Sequence, residues 1–232
     1  MQMTCFLTST PVTPDGVLNP ANGFAAALKD SLPADCAALF VCSDPVNHER
    51  TMGFANEMRR IFEAAGSSFR SFTVLDGVNA PDAAALVKGA DLIVLGGGHT
   101  PTQNRFFREI DLRGLMRDYK GVVLGISAGS MNSADVVYAQ PEEPGEAVDP
   151  DYERFLPGLG LTDKMLLPHY QSTRNEVLDG LRVFEDITYP DSVGRKFYAL
   201  PDGSYLFIRD GKEELRGEAY LIENGCLTRL DS

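Results

Sequence analysis

Three short apolar runs constrain the fold of this chain more than any other feature. Cys36–Cys42, Leu92–Leu95 and Val122–Leu124 contain no polar residue other than cysteine. Apolar runs of strand length without alternation are what a parallel sheet covered on both faces requires. Between them lie helical patterns. Ala21 to Leu32 is the first, broken by Pro33, and His48 to Ala65 is the second, with Met52, Ala55, Met58, Ile61 and Phe62 forming one apolar stripe that Gly66 ends. Phe6 to Thr10 and Phe69 to Leu75 add two strands. Pro81 to Lys88 reads as a helix with proline in its first turn, and another helix runs from the Gly96–Pro101 turn through Phe107. Strands alternating with helices specify a doubly wound, mostly parallel α/β sheet, and in such sheets the functional groups gather at the strand C-termini. With 232 residues, the expectation is a single domain spanning 1–232.

The later chain changes character. Gln140 to Glu153 holds six acidic residues with few apolar ones and reads as a solvated loop. Leu166 to Tyr170 looks like a short strand arriving at a polar loop, and Thr173 to Ile187 like a helix. Tyr205–Ile208 and Ala219–Ile222, around Asp210-Gly211 and Asn224-Gly225, read as antiparallel hairpins at the sheet edge.

Charge narrows the function classes. A formal net charge of −12 and a pI near 4.7 repel a phosphate backbone or an anionic membrane over most of the surface, so neither nucleic acid nor membrane is an expected partner. Cys5, Cys36, Cys42 and Cys226 form no C-x-x-C pair, and at least three sit in apolar runs, which points to a reducing compartment. The segment Met1–Leu7 has no basic residue and too short an apolar run for a signal peptide, so a cytoplasmic location is expected.

The chemistry centres on Gly125-Ile126-Ser127-Ala128-Gly129, directly after Val122–Leu124 and before helix-forming residues. Composition alone would produce G-x-S-x-G in about one such chain in ten, so the strand before it and the helix after it carry the reading: a nucleophile elbow. The elbow exposes the Ser127 hydroxyl, with the Ala128 N–H beside it at a helix start to stabilise an oxyanion. Gly125 and Gly129 lack the Cβ atoms that would collide as strand and helix fold back.

A serine nucleophile requires a base, and the candidates are His48, His99 and His169. His48 opens a helix and reads as a surface residue. His99 follows Gly96-Gly97-Gly98, a loop whose N–H groups suit an oxyanion or a phosphate, or which simply forms a tight turn. No G-K-[ST] and no G-x-G-x-x-G accompany it, which disfavours a nucleotide, and neither cofactor nor metal is expected. His169, on a short strand between Pro168 and Tyr170, is the best placed base, with a structural histidine as the alternative.

The pairing of Leu95–Thr100 with Gly125–Gly129, followed by Pro168-His169-Tyr170 and Thr173-Arg174, resembles the dipeptidase E (aspartyl dipeptidase) and cyanophycinase family of serine peptidases, from about Phe40 to Ile187. The resemblance implies a class I glutamine amidotransferase-like fold, a flavodoxin-like three-layer sandwich. It also implies Ser127 as nucleophile, His169 as base, and an oxyanion hole from Ala128 with Gly97 or Gly98. The family's acid lies in the loop between serine and histidine; ungapped spacing selects Glu142, a small gap Glu143, and Glu146 is a further candidate. The substrate implied is a small peptide, possessing an N-terminal aspartate in the dipeptidase branch, and Arg174 is the available cation for that carboxylate. Its alternative is a solvated arginine at a helix start. A monomer or homodimer is expected. Two other readings compete: an α/β-hydrolase-type esterase, whose histidine would follow the last strand, and a catalytically inactive amidotransferase-like binding domain.

Overall fold

The computed structural model describes residues 3–230; the reading of the N-terminal segment rests partly on Met1 and Gln2, which lie outside the described residues. The chain runs β1 (Thr4–Thr8), α1 (Phe24–Ser31), β2 (Cys36–Val41), α2 (His48–Ala64), β3 (Phe69–Leu75), α3 (Ala83–Gly89), β4 (Leu92–Leu95), α4 (Thr100–Glu109), α5 (Leu112–Met116), β5 (Val122–Ile126) and α6 (Ala128–Met131). It continues through β6 (Val136–Tyr138), β7 (Phe155–Pro157), β8 (Met165–Leu167), α7 (Tyr170–Thr173), β9 (Val177–Leu178), β10 (Leu181–Arg182), β11 (Lys196–Ala199), β12 (Tyr205–Arg209), β13 (Lys212–Arg216), β14 (Ala219–Glu223) and β15 (Cys226–Leu230).

The central sheet has the order β13-β12-β1-β5-β4-β2-β3. Its five strands β1 to β5 are parallel, and the β12–β13 hairpin adds antiparallel strands beside β1. The fold is thus the mostly parallel α/β sandwich expected from the sequence. Successive side chains of each strand supply opposite layers. Leu39, Ile93, Leu95 and Val123 pack with Phe106 and Phe107 of α4 and with residues of α3 and α5. Phe40, Leu92, Val94 and Leu124 pack with Phe24 of α1 and with Met58 and Phe62 of α2. Helices on both faces explain why these runs are apolar throughout.

A second sheet, β15-β14-β11-β8, takes the other C-terminal hairpin, so only one of the two hairpins extends the main sheet edge. In it β8 and β11 run parallel, with Ala199 opposite Leu167. It encloses a third core in which the Tyr138 and Phe197 rings stack at 4.2 Å.

The helix expected over Thr173 to Ile187 is not formed. The helical turn α7 ends at Thr173, β9 and β10 form a hairpin, and a π-helical turn covers Val183–Thr188. The reason is local: Asp179 and Gly180 both take positive φ, 53° and 83°, the two-residue hairpin turn that Asp-Gly favours. The apolar residues that suggested a helix, Val183, Phe184 and Ile187, are buried all the same, in the π-helical turn. No helix among the described residues is long and apolar enough to cross a membrane. Cys5, Cys36 and Cys42 are buried, and burial pushes each thiol up to about 12, so they serve as small apolar side chains.

Candidate active site

Ser127 follows β5 at the centre of the sheet, at φ 50° and ψ −113°. Non-glycine residues rarely hold such a backbone, and where they do the surroundings must enforce it. Here the enforcement is visible. The Ser127 N–H donates to the Thr8 carbonyl at 3.1 Å, and that carbonyl also accepts from Ser130 Oγ at 2.7 Å. A Cβ on Gly129 would strike the Leu95 carbonyl, and one on Gly125 would lie 2.8 Å from Ser130 Oγ. The two glycines are therefore obligatory for the turn.

The glycine loop after β4 lies against this turn. A Cβ built on Gly97 would sit 3.4 Å from Ser127 Cβ, and one on Gly98, at φ 151°, would collide with Ser43. Gly97, which follows β4, and Ala128, at the first position of α6, are thus both next to the serine.

His169 stands on the other flank. It follows β8, at φ 58°, and its N–H donates to Ser9 Oγ at 3.2 Å, while Ser9 Oγ donates to the Leu200 carbonyl at 2.7 Å. Thr8 thus anchors the serine and Ser9 the histidine, which brings both to the end of β1. His169 Nδ1 lies 2.7 Å from Asp202 Oδ1. Asp202 follows β11, and its N–H donates to Gln171 Oε1 at 2.9 Å. Parallel pairing of β8 with β11 is what sets the residues after each strand side by side.

Glu142 and Glu146 pair with the segment after β4, not with His169. Glu142 Oε1 accepts the Thr100 N–H at 2.8 Å. The residue is exposed overall, but its carboxyl group is tucked against the start of α4, and this loss of water raises its pKa above the ordinary carboxylate value. Glu146 Oε1 is 2.7 Å from His99 Nε2, and its other oxygen accepts the N–H groups of Glu142 and Glu143. His99 Nδ1 meets Thr102 Oγ1 at 2.7 Å, so both ring nitrogens are engaged. The structure brings Ser127, Gly97, Gly98 and Ala128 together at one end of the sheet and pairs His169 with Asp202, not with Glu142, Glu143 or Glu146. The sequence did hold a signal for Asp202: Pro201-Asp202-Gly203, a turn after the apolar run Phe197–Leu200.

His99, Glu143 and Glu146 could together hold a metal ion, since their ligand atoms lie within 4.8 Å of one another; in the structure the His99–Glu146 hydrogen bond accounts for much of that closeness. His48, at the start of α2, pairs with the buried Asp76, away from the elbow. Arg174 caps α7 and is exposed, five residues after His169.

Beside the serine a groove of about 500 Å³ runs from Gly97, Gly98 and Ile126 out along α2. Phe40, Phe54, Met58 and Ile61 make its walls, and Asp44, Arg50, Glu57 and Glu143 its charged groups.

Two solved structures share the fold. A peptidase from an acI-B1 Actinobacterium superposes with a TM-score of 0.69 at 16% identity, over 99% of this chain and 94% of that one. A candidate peptidase E protein of Listeria monocytogenes EGD-e superposes with a TM-score of 0.63 at 16% identity, over the whole of both chains. At such identity the likeness concerns the fold. The comparison with curated proteins gives no match. The family model of peptidase family S51 matches residues 34–216, a span that holds the elbow, the glycine loop, His169 and Asp202, and the chain belongs to that family.

Proposed function

We propose that the chain is a serine peptidase acting on short peptides, with Ser127 as nucleophile, His169 as general base and Asp202 as the carboxylate that orients it. The observation that carries this reading is the strained backbone of Ser127, anchored at Thr8, together with a histidine anchored at the adjoining Ser9 whose Nδ1 is held by a carboxylate. With Nδ1 so engaged, Nε2 is the nitrogen left for the serine proton.

In the first step Ser127 Oγ bonds to the peptide carbonyl carbon while His169 Nε2 takes the hydroxyl proton. The carbonyl oxygen becomes an oxyanion, stabilised by the N–H groups of Ala128 and of Gly97 or Gly98. Collapse breaks the C–N bond, and His169 gives its proton to the departing amine. A water molecule then attacks the acyl-enzyme, His169 takes its proton, and Ser127 leaves with that proton restored. Asp202 stabilises the imidazolium and does not itself change protonation.

Arg174 caps α7, the turn that begins directly after His169. In this reading it meets the C-terminal carboxylate of a dipeptide, not an N-terminal aspartate side chain. Family membership favours peptide bonds over the esters of an α/β-hydrolase reading. The test is labelling of Ser127 by a fluorophosphonate, read by intact mass, together with hydrolysis of matched dipeptide and ester panels. Dipeptide turnover that Ser127→Ala removes is expected; more than about a tenth of wild-type turnover in that variant rejects Ser127 as nucleophile. Absence of both labelling and turnover supports the inactive binding domain instead.

A further inference from the structure

We infer that the groove along α2 selects the residue on the acyl side of the scissile bond, and that this residue is a large apolar one, so that the substrates are peptides beginning with leucine, phenylalanine or methionine. The inference rests on the serine peptidase reading above and adds the substrate class.

The position of the groove assigns it to the acyl side. Ser127 sits at the end of β5, between β1 and β4. His169 reaches the elbow from the β1 flank, through Ser9, and the amine that it protonates must leave on that flank. The acyl half therefore extends across Gly97 toward β4 and β2, where Gly97, so close that an added Cβ would come within 3.4 Å of Ser127 Cβ, also lines the groove. The groove opens on this side at Gly97, Gly98 and Ile126, and a side chain on the acylated residue enters it.

The lining gives the chemistry. Phe40, Phe54, Met58, Ile61 and Ile126 form apolar walls around about 500 Å³, room for a large side chain. Phe54 is 46% exposed, an uncovered aromatic of the kind that gains by receiving an apolar partner. Arg50 lies over the Phe54 ring at 5.5 Å, while Asp44, Glu57 and Glu143 stand in the same groove. Three carboxylates to one guanidinium make a poor receptor for an aspartate side chain and a good one for a free α-ammonium group. An N-terminal residue with an apolar side chain satisfies both the walls and the charge.

The experiment measures kcat/KM of the full chain for Leu-Leu, Phe-Leu, Ala-Leu and Asp-Leu, then repeats it with Phe54→Glu. Leu-Leu and Phe-Leu are expected to exceed Ala-Leu and Asp-Leu by about 10–100-fold, the discrimination an apolar pocket can supply. Phe54→Glu, on the exposed face of α2, should lower the Leu-Leu to Ala-Leu ratio at least about tenfold. Asp-Leu as the best substrate, no preference among the four, or an unchanged ratio in the variant overturns the inference while leaving a fluorophosphonate-labelled Ser127 and the peptidase reading intact. No hydrolysis of any dipeptide and no labelling removes the peptidase reading, and the inference with it.

Discussion

The backbone strain at Ser127 makes a prediction about stability that is independent of any substrate. At φ 50° and ψ −113° a residue with a Cβ pays a conformational penalty of about 1–3 kcal/mol. Ser127→Ala keeps the Cβ and therefore keeps the strain. Ser127→Gly removes it, at the cost of about 0.4–1 kcal/mol of extra unfolded-state entropy. The serine side chain makes no capping hydrogen bond to α6, so either substitution forfeits little else. The glycine variant should thus be more stable than the alanine variant by about 0.5–2 kcal/mol. For a chain of this size that raises Tm by about 1–8 °C. Calorimetry or denaturant unfolding of the two variants measures the difference directly. A glycine variant no more stable than the alanine variant refutes the claim that the elbow is held under strain.

Three further outcomes follow from the site. Asp202→Asn should lower kcat by about 10²–10⁴-fold, the range of a mispositioned general base, with the lower end expected because the His169–Asp202 pair is one-third exposed; retention of activity there, with loss in Glu142→Gln, would return the acid to the loop. Arg174→Ala should raise KM for dipeptides by about 1.5–5-fold, the worth of an exposed ion pair, without altering KM for the dipeptide amides; equal effects on both reject the carboxylate contact. Glu142 has its pKa raised in the folded chain above the ordinary 4.5, so over the window above 4.5 the folded state holds more protons than the unfolded chain and stability falls as pH rises. Thermal melts of Glu142→Gln should accordingly lie above wild type at pH 7–8 and converge with it below about pH 4.5; a gap that widens on acidification contradicts this.

Local physics made most of the scaffold legible in the sequence. A fully apolar run such as Leu92–Leu95 has one stable setting, a strand with both faces covered, and that is where it lies. The elbow was legible for the same reason, since Gly125, Ser127 and Gly129 have steric requirements that act within a few residues. The departure over Thr173–Ile187 is also local: the apolar spacing suggests a helix, but the Asp179-Gly180 turn breaks it.

What tertiary structure alone decided is the company each side chain keeps. Glu142, Glu143 and Glu146 are closer in sequence to the serine than Asp202 is, yet their loop folds back onto His99 and Thr100. Asp202 reaches His169 because β8 and β11, about thirty residues apart, pair in parallel and end together. The groove likewise combines Phe40 of β2, Ile126 of β5 and Phe54 of α2, which no motif connects. The sequence by itself determined the five parallel strands, the turn after β5 and the nucleophile candidate, since these depend on neighbours along the chain. The carboxylate that meets His169 and the residues that line the groove depend on which strand ends come together in space, which no stretch of local sequence dictates.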